Sequence, residues 1–149
     1  MNKIPRGIRN RNPLNIRRTG DKWQGMEWQQ DDPSFIQFEH MRWGYRAAWI
    51  LMLRYWQHFN KKMQPLTLSK LIYRWAPPND GNDTEAYIKF VALHASIGGQ
   101  ERLPNPNSYM GRKKFTPILI AMTCVENGIK PEEVPVSAIL QGYQLAFSH

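Results

Sequence analysis

At 149 residues, 42% of them apolar and 12% aromatic, the chain has enough core-forming material for one folded domain spanning residues 1–149 and is not disordered in composition. Its single cysteine, Cys124, excludes an intrachain disulfide, and its densest apolar run, residues 47–53, is far too short to cross a bilayer. A net charge of +8 points to anionic partners: nucleic acid, a membrane surface or bacterial cell wall.

Residues 1–18 are strongly basic, interrupted by "NRNPLN", and read as loop; they lack the apolar segment of a secretory signal. Alternation around "TGD" predicts a small β-hairpin over Asn12–Gly25, turning near Gly20. "DDPSF" is a turn leading to Phe35 and Phe38. Tyr45, Trp49, Met52, Leu53 and Trp56 follow helical spacing, which predicts a central helix over 44–60. A second helix is expected over 67–75, capped by Thr67 and stopped by Pro77-Pro78. The third, over 83–97, has Asn82 and Glu85 in capping-box spacing and Gly98-Gly99 as its stop. A loop through "RLPNPNSYMGRKK" leads to a fourth helix with Thr116 as N-cap, Pro117 in its first turn and Gly128 just past its end. A last helix covers 136–147. The fold class is mainly α (α+β).

Glu126 is the residue most in need of explanation. It is the only acid in an apolar helix and it sits at the helix's C-terminal end, where a carboxylate is disfavoured. Burial and the negative helix end both raise a carboxyl pKa, and a neutral acid is what glycoside cleavage needs to protonate a leaving oxygen. A solvated end residue is the plainer alternative. The amides of Asn12 and Asn15 can bond sugar hydroxyls or N-acetyl groups, although the same residues serve turn chemistry. The arginines around them form, alternatively, a phosphate-binding patch. Glu39, between aromatics and His40, is the rival acid, and Glu27, Asp31 and Asp32 are candidates for a second carboxylate. Trp23 and Tyr109 offer faces for sugar stacking. The four histidines show no metal-ligand spacing, so neither a metal nor a cofactor is expected.

The segments "RGIRNRNPLNIR", "GYRAAWILMLRYW" and "RWAPPNDGNDTEAYI" together resemble a phage and prophage family whose members open on an RGIRNNNPxNI-type motif. Those members are labelled virion structural proteins or candidate lysozymes. More distantly, "NPLNIRR…KWQG" is similar to the segment that follows the catalytic Glu helix in cell-wall glucosaminidases. Here that segment is N-terminal, and the matching helix, "ILIAMTCVENG", is C-terminal. The resemblance implies a lysozyme-like helical domain, possibly in circularly permuted order, with Glu126 as general acid beside the Asn12–Gly25 segment. It implies bacterial peptidoglycan as partner, with other virion proteins as a second partner class; a monomer is expected, and the short apolar run predicts no membrane insertion. Nucleic acid is disfavoured because no recognition motif orders the basic residues. Synthesis in the bacterial cytoplasm without a signal peptide, followed by action at the wall or carriage in the virion, is the corresponding expectation.

Overall fold

Six α-helices form among residues 3–148, the residues described in the computed structural model; the shortest, over Arg6–Arg9, stands where a loop was expected. They are α1 (Arg6–Arg9), α2 (Met41–Lys61), α3 (Leu68–Trp75), α4 (Thr84–Ala95), α5 (Tyr109–Asn127) and α6 (Val136–Phe147). The chain divides into two compact units, the first made of Met1–Leu51 and Met122–His149, the second of Met52–Ala121. The dividing points fall inside α2 and α5.

The fold is mainly helical, as expected, but the β-hairpin is not formed. Among the described residues there are only isolated antiparallel bridges, Arg17 with Phe35, Met26 with Phe38 and Thr67 with Arg102. The two arms of the expected hairpin pair with a third segment. Ile36 N–H donates to Ile16 O (3.0 Å), Arg18 N–H to Ser34 O (2.9 Å) and Glu27 N–H to Gln37 O (2.9 Å). Residues 34–38 thus satisfy backbone groups on both sides. Alternation in the sequence carries no information about which partner wins.

In the first unit, Trp49 is fully buried; its Nε1–H donates to Ile139 O at 2.9 Å, and Tyr143 and Phe147 meet its ring edge-on. These contacts fasten α6 to the first half of α2. In the second unit, α3 begins as expected, with Thr67 Oγ1 accepting from Lys70 N–H at 3.3 Å. The cap of α4 is Asp83, one residue later than expected, because its carboxylate accepts from Ala86 N–H at 3.1 Å. Ser96, in the left-handed region at φ 53°, ends that helix ahead of the glycines.

Helix α5 starts seven residues before Thr116. Its first turn is capped by Ser108, whose Oγ accepts from Gly111 N–H at 2.9 Å. Pro117 therefore lies inside the helix and lacks the N–H that would reach Lys113 O. Thr116 does not cap; its hydroxyl donates back to Arg112 O at 2.6 Å. The loop expected before this helix is correspondingly shorter.

Candidate functional site

The asparagine-rich opening divides into three separate jobs. Asn10, 3% exposed, donates through Nδ2 to Asp32 Oδ2 at 2.9 Å. Asp32 is the hub of this corner: it accepts two 2.7 Å bonds from the Arg6 guanidinium and two 2.9 Å bonds from the N–H groups of Ser34 and Phe35. The Arg6 guanidinium foremost, with the donated bonds from Asn10, Phe35 and Ser34, holds the Asp32 carboxyl far below the usual carboxylate range against the opposing pull of burial. Such a group stays ionised and does not shuttle protons near neutral pH.

Asn12 is fully buried and entirely internal. Its Nδ2 donates to Ile16 O and Ile36 O, both at 2.9 Å, and its Oδ1 accepts from Ile16 N–H at 2.9 Å. The amide expected to meet a sugar instead clamps the 12–16 turn to the 34–38 segment.

Asn15 does the third job. In the left-handed region at φ 53°, a conformation asparagine tolerates better than most residues, it turns its amide onto the end of α5. Its Nδ2 donates to Glu126 Oε1 at 3.1 Å and, more weakly, to Glu126 O at 3.3 Å. Residues 111 apart in sequence thereby share one half-buried site. Gly128, at φ 63°, ends α5 directly after it, with its N–H donating to Cys124 O at 2.8 Å.

Two residues not singled out in the sequence hold this meeting in place. Asn127, 9% exposed, donates from Nδ2 to Pro13 O at 2.7 Å and to Thr123 O at 3.0 Å, tying the 12–15 turn to the helix end. Gly7 lets the oxygens crowd in: a Cβ there would lie 2.5 Å from Asn127 Oδ1, 2.8 Å from Asn15 Oδ1 and 2.9 Å from Asn12 O. Both amide oxygens are buried without a hydrogen-bond partner, so Gly7 is the residue that lets the turn close on α5. An Asn in the last turn of an apolar helix, directly after Glu126, was the available signal. Nothing local says that Pro13 is its target.

The other expected residues lie elsewhere. Glu39 is exposed, and its backbone N–H donates to Gly25 O at 2.8 Å. Glu27 is half-buried and pairs with Arg11 Nη1 at 3.5 Å; Asp31 is exposed. Trp23 is half-buried in a tight turn in which its N–H donates to Met26 Sδ at 3.1 Å. Five residues on, Trp28 is 99% exposed and presents its indole to solvent. Tyr109 is the first residue of α5, belongs to the second unit and lies under Lys113, whose Nζ is 4.7 Å from the ring centroid. Cys124 is buried, and burial foremost pushes its thiol above the ordinary value, as befits a structural thiol. Among the described residues no group of three or more His, Cys, Asp or Glu side chains is placed to hold a metal ion. No helix of the described residues is long and apolar enough to cross a membrane.

A mainly helical protein with an acid held at a helix end by a distant asparagine is the class defined by these observations. The chain is 32% identical over 150 residues to Protein P5 of Pseudoalteromonas phage PM2, an alignment that covers 99% of this chain and 85% of that protein. The chain belongs to the family of that phage protein. No family model matches the sequence.

Proposed function

We propose that this phage-related chain is a peptidoglycan-cleaving enzyme of the muramidase, lytic transglycosylase or glucosaminidase type, built as one lysozyme-like domain in circularly permuted order. The observation that carries this reading is the 3.1 Å hydrogen bond from Asn15 Nδ2 to Glu126 Oε1. It brings the C-terminal acid to the N-terminal segment that follows the catalytic helix in the glucosaminidases. Glu126 is the general acid. With Asn15 donating to Oε1, Glu126 would be the group that protonates the glycosidic oxygen of a bound glycan. Asn127 and Gly7 act through the 12–15 turn and position Asn15. Trp23 and Trp28 supply indole faces for pyranose stacking, and Glu39 is the rival acid. Asp32, committed as a paired carboxylate, is set aside as a second catalytic group; Glu27 is the better candidate.

Purified protein should clear peptidoglycan and release sugar fragments. Glu126→Gln should lower that rate by roughly 10²–10⁴-fold while leaving the thermal unfolding profile in place. Glu39→Gln should leave most of the rate. Clearing that persists in Glu126→Gln removes Glu126 from the mechanism.

A second reading has one observation in its favour: Asn10 and Asn12, two of the three asparagines in the motif, are spent on internal bonds. On that reading the chain is a non-catalytic virion or wall-binding protein, and it binds walls saturably without releasing fragments.

A further inference from the structure

The second unit contains a cleft of about 460 Å³, lined by none of the residues of the Glu126 site. One wall is the end of α2, where Trp56 and Asn60 share a face at i, i+4 spacing. The neighbouring face of that helix is already covered: Trp75 meets Tyr55 edge-on at 6.2 Å, and Lys70 Nζ lies 5.6 Å from the Phe59 ring centroid. The other wall is fixed backbone. Leu103 N–H donates to Leu66 O at 2.8 Å, and Thr67 bridges Arg102, so Gln64 and Arg102 are held at the cleft. Met63, at the rim, is 92% exposed and adopts φ 58°, a left-handed conformation unusual for a bulky side chain. Its unbranched thioether suits a contact that adapts to a ligand.

The chemistry of this lining is selective. Asn60 and Gln64 each offer an amide that both donates and accepts, Trp56 offers a flat apolar face, and Arg102 offers one planar cation. Paired amides beside an indole match an extended peptide backbone. A single guanidinium matches a carboxylate; a phosphate site would be expected to gather several cations or a nest of N–H groups. The whole second unit is basic, with ten Lys and Arg against four Asp and Glu, and this excess draws in an anionic ligand.

We infer that this cleft binds a short peptide bearing free carboxylates, with Arg102 pairing with a carboxylate and Asn60 and Gln64 bonding the peptide amides. Where the proposed function holds, the ligand is the stem peptide of peptidoglycan; the peptide site itself stands independently of Glu126.

The test is calorimetric titration of the full-length protein with a synthetic stem tetrapeptide (alanine, glutamate, diaminopimelate, alanine) and with its fully amidated counterpart. Expected is saturable binding of the acidic peptide, at least about tenfold weaker binding of the amidated one, and a similar weakening in Arg102→Ala and in the exposed-site variant Asn60→Ala. Glu126→Gln should bind the acidic peptide like wild type. Absence of binding, equal binding of the amidated peptide, unaltered binding in Arg102→Ala, or displacement by equimolar inorganic phosphate overturns the inference. Peptide binding without glycan cleavage overturns the glycosidase reading and leaves the peptide site standing.

Discussion

The two units of the molecule solve different problems with the same alphabet. The first carries ten basic and eight acidic residues, a net of +2, and buries Asn10, Asn12, Asp32, Thr123 and Asn127. The second carries ten basic and four acidic residues, a net of +6, and its buried polar side chains are only Thr67 and Thr84 among the described residues. The first unit therefore spends its polar groups inside, where the bonds they make fix pieces of irregular backbone. The second leaves its charge at the surface, where it attracts ligands and contributes little to stability. A total charge of +8 hides this division.

The contrast is open to direct attack, beginning where the effect is largest. Trp49→Ala removes the largest fully buried side chain of the first unit and the partner of Ile139 O, and should cost about 3–5 kcal/mol in urea unfolding. A loss below about 1 kcal/mol would mean that α6 does not depend on this anchor. Asp32→Asn should cost roughly 2 kcal/mol at neutral pH, because it removes the charge from several hydrogen bonds at once. Its pH dependence is the sharper check. The folded-state pKa of Asp32 is depressed, so its contribution is full above the ordinary carboxylate value of about 4 and is lost as pH falls below it. Melting temperatures of wild type and variant should therefore converge in acid; a constant gap would show that charge is not what Asp32 supplies.

In the second unit, Asp83→Ala deletes a surface cap and should cost only about 1 kcal/mol, with α4 helicity by hydrogen exchange as the local readout. Smallest in stability is Lys61→Glu with Lys62→Glu. It should move unfolding by no more than about 0.5 kcal/mol yet weaken adsorption to cell walls at low ionic strength, with the difference fading as salt screens it. If the same reversal at Lys3 and Lys22 weakens adsorption equally, the charge division between the units has no functional meaning.

Legibility in the sequence followed the same divide. Helices α3 and α6 stand where periodicity and capping predict them, and α4 is off by one residue at its cap, because these signals are written within a few residues. The start of α5 escaped the same logic. Thr116-Pro117 imitates a helix start, while Ser108 is the cap that forms. The site was half legible. Glu126 stood out as an acid where helix electrostatics disfavour one, and Asn15 belonged to a motif rich in amides. Asn12 and Asn15 look alike in sequence, yet one is a fully internal clamp and the other reaches Glu126.

By itself, then, the amino-acid sequence determined the helical class and the identity of the odd acid, since periodicity and charge are local quantities. Tertiary structure alone decided that the expected hairpin arms pair with residues 34–38, that Asp32 is spent on Arg6, and that Asn15 meets Glu126 across 111 positions. Hydrogen bonds are short-ranged in space and indifferent to separation along the chain, so their partners are settled only when the backbone has closed.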